Sequence, residues 1–66
     1  MTLTELRAKY QLSEHASPTE VSLCEVIEQD GPEMAVWLVN EYAKQETTRD
    51  AWLAWLPYVQ RKGELR

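Results

Sequence analysis

The chain has 66 residues and a formal net charge of −4, with eleven Asp and Glu against seven Lys and Arg. A chain this short buries only about 60% of the surface its unfolded form exposes, which excludes a large enclosed active site, and its acidic balance disfavours autonomous binding to phosphate backbones. An apolar fraction of 44% with 27% charged residues is that of a folded domain, not of a disordered acidic tail.

Four segments open as helices do, with an oxygen-bearing side chain followed three residues later by an acid: Thr2 with Glu5, Ser17 with Glu20, Asp30 with Glu33, and Thr47 with Asp50. They predict an all-α fold, a small bundle of about four short helices near 2–12, 18–29, 32–45 and 48–62, forming a single helical domain over 1–66. The first carries only a narrow apolar stripe, Leu3, Leu6 and Tyr10, enough to dock it but not to stabilise it alone, and it is the element expected to move most readily. In the second, Leu23, Cys24, Val26 and Ile27 oppose Ser22, Glu25, Glu28 and Gln29, the pattern of an amphipathic surface helix. Pro18 and Pro32 suit the first turns of the second and third helices, and Gly31 marks the sharp turn between those two. The third helix has an apolar face, Met34, Ala35, Val36, Leu38, Val39, Tyr42 and Ala43, wrapping roughly 200° of the wheel, and the fourth, with Trp52, Trp55, Tyr58 and Val59, is as broad. Pro57 falls inside the fourth and predicts a kink or break there, while Gly63 reads as a C-terminal stop.

The parts of a catalytic or metal site are few. One cysteine, Cys24, excludes an internal disulfide and favours a reducing, cytoplasmic setting. Neither the start MTLTELRAKY nor any later run has the apolar length of a signal segment or a membrane span, so the expectation is a soluble, unprocessed protein with no membrane partner. Cys24 reads as a buried small hydrophobe and His15 as an exposed loop residue, and Glu25 and Glu28 share a polar helical face where solvated charge is the default. With one Cys and one His there is no zinc pattern, and two glycines make no phosphate cradle. The expectation is no enzyme, no metal and no cofactor.

Trp37 is the feature a plain bundle does not explain. It lies off the apolar face of the third helix in a sector shared with Glu33, Asn40, Glu41 and Lys44, and Leu53 is stranded similarly on the fourth. Either residue packs under a chain end or anchors an interface, where Trp is enriched. The spacing of Trp52 and Trp55 makes them core aromatics, since neither a basic groove for stacked bases nor a basic membrane face surrounds them. Charge is also uneven: from Tyr10 to Ala43 there are seven acids and no Lys or Arg, between weakly basic ends. Either the basic tail lies near the acidic second helix, or the acids steer a basic partner.

These features predict a small acidic protein-binding module, an adaptor, regulator or inhibitor acting by steric docking. Trp37, Leu53, Glu33, Glu41, Glu25 and Glu28 are its contact residues, its partner is another protein with a basic surface, and self-association gives a homodimer on the broad faces of the third and fourth helices. The alternatives are a helix-turn-helix-like transcriptional regulator built on the turn at Gly31, or an acidic mimic of DNA. Against the first stands a recognition helix offering Glu33, Asn40 and Glu41 but only Lys44 as a base.

Overall fold

Ser17 opens the longest helix, α2 (Pro18–Asp30), with a complete capping box: its hydroxyl accepts from the Glu20 amide at 3.3 Å and its own amide donates to the Glu20 carboxylate at 2.6 Å. Pro18 fills the first helical position, where no N–H is needed. The computed structural model describes residues 1–66; its other elements are α1 (Leu3–Lys9), α3 (Pro32–Tyr42), α4 (Arg49–Leu53) and α5 (Leu56–Gly63), with no strand. The chain is all-α, as its patterning predicts. No helix is long and apolar enough to cross a membrane.

Helix ends depart from the sequence reading, each for a local reason. The first helix stops at Lys9 instead of running to residue 12, because Gln11 takes a left-handed φ of 56°. The Leu12 amide then donates to the Arg7 carbonyl at 2.9 Å and the Gln11 amide to the Ala8 carbonyl at 3.3 Å, the paired bonds of a Schellman stop. Asp30 does not cap α3: it is the last residue of α2, and Gly31 alone joins the two helices at φ 96° and ψ 160°, a conformation that glycine tolerates. Thr47 does not cap α4 either. Thr48 holds that position at φ −121° and ψ 7°, outside the extended backbone from which a hydroxyl reaches the first turn, and its Oγ1 is buried without a partner.

The predicted fourth helix is two pieces. α4 ends at Leu53, Ala54 and Trp55 keep right-handed backbone, and α5 restarts so that Pro57 sits in its first turn, where its missing N–H costs nothing. The break thus falls just ahead of the proline that causes it. Gly63, read from the sequence as a stop, is the last residue of α5 with no left-handed φ; it is there for proximity, since a Cβ at this position would meet the Pro32 Cβ at 2.7 Å. It lets the end of α5 close on the start of α3.

Nine apolar side chains form the buried core: Leu6 and Tyr10 from the first segment, Leu23, Cys24 and Ile27 from α2, Ala35, Val39 and Ala43 from the α3 segment, and Val59 from α5. α2, α3 and α5 pack mutually around it, α4 leans on α3, and α1 lies against α2. The molecule extends 35 × 23 × 16 Å, and its shortest axis is less than two helix diameters of about 10 Å. Every helix therefore keeps an outward face.

Candidate functional site

The width of the apolar face on α3 and the thinness of the molecule together decide what is left uncovered. Ala35, Val39 and Ala43 take the centre of that face into the core, and Val36 packs beside them. The margin does not go inside: Met34 is 41% exposed, Trp37 54% and Tyr42 48%, and Leu53 at the end of α4 is 36% exposed. Apart from Met1 and Leu3 at the chain start, these are the exposed large apolar residues of the protein. Trp37 packs under neither the first helix nor a chain end.

A groove of about 310 Å³ opens between α2 and α3, walled by Leu23 and Val26 on one side and Leu38 and Tyr42 on the other, with Trp52 of α4 closing one end. Tyr42 and Trp52 stack there with ring centroids 4.6 Å apart, which fixes two aromatic faces at the lip. The sequence reading assigned Tyr42, Leu38 and Trp52 to the interior and missed their part in this groove. The signal was present in the 200° breadth of the α3 face, which exceeds what two neighbours in a thin bundle can cover.

The acids divide by what holds them. Glu28 is engaged internally: Lys9 Nζ donates to both of its oxygens at 2.7 Å and the Tyr10 hydroxyl donates to one at 2.9 Å. These bonds, from Lys9 first and Tyr10 second, hold the Glu28 carboxyl below the usual glutamate range. Burial, followed by the bond to Glu28, pushes the Tyr10 hydroxyl up to about 12. Glu25 and Glu33 are exposed and without an ion-pair partner, whereas Glu41 pairs with Lys44 one turn on at 2.9 Å. Glu25 also borders a second depression of about 340 Å³ between the chain start and α2, with Met1, Leu3 and Glu28. The site residues read from the sequence therefore do not form one cluster: Trp37, Glu33 and Glu41 share α3, Leu53 is on α4, and Glu25 and Glu28 are on α2.

The basic tail folds back, but Lys62 settles on the first segment and makes no ion pair with the acids of the second helix. Lys62 Nζ donates to the Tyr10 carbonyl at 2.7 Å, closing the C-terminal end of the first segment, and lies 5.4 Å from the Tyr58 ring centre. Cys24 and His15 are apart in character as well as in place. Cys24 is fully buried with its Sγ 3.9 Å from the Tyr58 hydroxyl, and burial pushes its thiol up. His15 is exposed beside Glu14. Nowhere do three side chains drawn from His, Cys, Asp and Glu converge.

No protein-family model, no curated protein and no solved structure matches this chain.

Proposed function

We propose that the chain is a small acidic protein-binding module that docks by steric fit through the outward face of α3 and α4. One observation carries this reading: Met34, Trp37, Tyr42 and Leu53, a third to a half exposed, are all on these two helices. Large aromatic and aliphatic side chains left in water at that density are the anchors that interfaces use, and exposed acids beside them favour a basic partner surface. The module contributes shape and charge, as an adaptor, regulator or inhibitor does, and carries out no chemistry of its own.

Self-association is a second reading that α3 itself favours. Glu33, Trp37 and Asn40 follow one another at spacings of four and three, so they form a single stripe along α3, and Lys44 continues it in the turn just past the helix end. Two copies laid antiparallel along this stripe bring Glu33 opposite Lys44 of the other copy, and Trp37 opposite its Asn40, at both ends at once. A homodimer of this kind leaves the groove beside α2 open.

Sedimentation equilibrium on the purified chain at micromolar concentration tests the surface. The expected mass is twice 7.7 kDa, and Trp37→Ala weakens the association by about 2 kcal/mol with helicity unchanged. A monomer at every concentration removes the homodimer, and a large loss of helicity in Trp37→Ala shows that the indole belongs to the core.

A further inference from the structure

We propose that the first segment, residues 1–12, is a strap that lifts as a unit from an otherwise intact fold, and that its latch on Glu28 sets how often the Cys24 thiol is uncovered. This stands apart from the docking face on α3 and α4. α1 has seven residues, and isolated helices shorter than about 12 residues are marginal in water, so its order comes from docking. Leu6 and Tyr10 are the only side chains it buries for that purpose. The rest of the fold keeps its own contacts without them, since α2, α3 and α5 pack mutually. A segment with so few buried apolar contacts opens ahead of the global transition.

The strap is held at one end. Lys9 Nζ and the Tyr10 hydroxyl converge on the Glu28 carboxylate at 2.7 and 2.9 Å, and Lys62 Nζ from α5 holds the Tyr10 carbonyl at 2.7 Å. At the other end Met1 and Leu3 are exposed, and the depression of about 340 Å³ lies between them and α2. The hinge follows the latch directly. Gln11 takes a left-handed φ of 56°, a conformation that is costly with a Cβ and that lifting releases. Beyond it, residues 13–16 form no helix and make hydrogen bonds only among themselves.

Cys24 lies beneath. It shares one line of α2 with Glu28, four residues on, and its Sγ is 3.9 Å from the Tyr58 hydroxyl. Lys62 bonds the Tyr10 carbonyl and lies 5.4 Å from the Tyr58 ring centre, so the first segment and α5 meet over this line. With both in place Cys24 has no exposure, and Tyr10 belongs to the same buried cluster. Once Tyr10 lifts, that side of Cys24 faces water.

The rate at which a disulfide reagent labels Cys24 in the intact chain, followed across sub-denaturing urea, tests this. With closing faster than labelling, the rate reports the population of the open form. In wild type without urea it exceeds the rate set by global unfolding at least about tenfold, and it rises less steeply with urea than global unfolding does. Glu28→Gln speeds labelling about fivefold or more, and Lys9→Met, which breaks the same latch, does so if Glu28→Gln fails to fold. Val36→Ala, on α3 and partly buried against the core, weakens the fold outside the strap. Its urea midpoint falls while its labelling without urea stays within about twofold of wild type; the wild-type slope decides if this variant fails to fold. Labelling with the full urea slope of global unfolding, or accelerated in Val36→Ala in step with its unfolding equilibrium, overturns the proposal. A wild-type rate in either folded latch variant overturns it too.

Discussion

At the scale of single residues, the contacts that hold the first segment down were the least visible in the sequence. Nothing in the spacing of Lys9, Tyr10 and Glu28 announces that they meet, because the pairing is made by the packing of α1 on α2 and not along one helix. It has a pH signature. The Glu28 carboxyl is depressed in the folded chain, so its contribution is present above the ordinary glutamate value of 4.5 and is lost as pH falls through the lower folded value. Acid unfolding of wild type therefore steepens below about pH 4.5, and Glu28→Gln flattens that part of the curve; identical profiles would show that the contact carries no stability. Tyr10 works in the other direction: with its hydroxyl raised from 10.0 to about 12, the stability it lends is complete below pH 10 and is lost as pH rises through 12. Gln11 was equally silent, since no Gly or Asn marks its left-handed turn. Gln11→Gly relieves that conformation and raises unfolding stability by about 0.5–1 kcal/mol, measured by urea denaturation.

At the scale of elements, capping and proline signals were legible where a side chain does the capping, at Thr2 and Ser17. They misled where the backbone does it. The turn between α2 and α3 is made by Gly31, and the acid before it, Asp30, belongs to the preceding helix. Pro57 announced the interruption, but the two-helix outcome depends on α4 leaning on α3 while α5 packs against both α2 and α3, which periodicity alone does not show. Gly63 was read for its conformation and serves by its size. Gly63→Ala brings a methyl to 2.7 Å from Pro32 and pushes the α5 and α3 ends apart, at an expected cost of about 1–3 kcal/mol in thermal or urea unfolding. An unchanged midpoint would mean that the tail yields without loss. Cys24 reports on the same packing: buried and with its thiol raised, it reacts with a disulfide reagent at least about tenfold more slowly in the folded chain than in denaturant.

At the scale of the whole molecule, the acidity and the small size have one structural consequence. A layer 16 Å deep cannot cover both sides of α3, so a face 200° wide in sequence becomes a core stripe with exposed margins. The sequence showed that Trp37 and Leu53 were out of place; it did not show that Tyr42 and Trp52 would stack at the mouth of a groove, because that depends on how α4 packs against α3. The charge resolves in the same way. Lys62 returns to the first segment and Lys9 to Glu28, while Glu25, Asp30 and Glu33 remain unpaired on the two helices that wall the groove. With those acids outward, duplex DNA is not expected to bind at micromolar concentration in a fluorescence titration, and steeply salt-dependent binding would return the helix-turn-helix alternative.

The central claim is that α3 and α4 present the docking face. It is tested most directly by amide NMR of the isotopically labelled chain, recorded as its own concentration is raised. The account predicts that signals of the outward α3 and α4 residues, including the Trp37 indole, move with concentration and that α1 stays still. Shifts confined to α1, or a spectrum that concentration does not change, would contradict it.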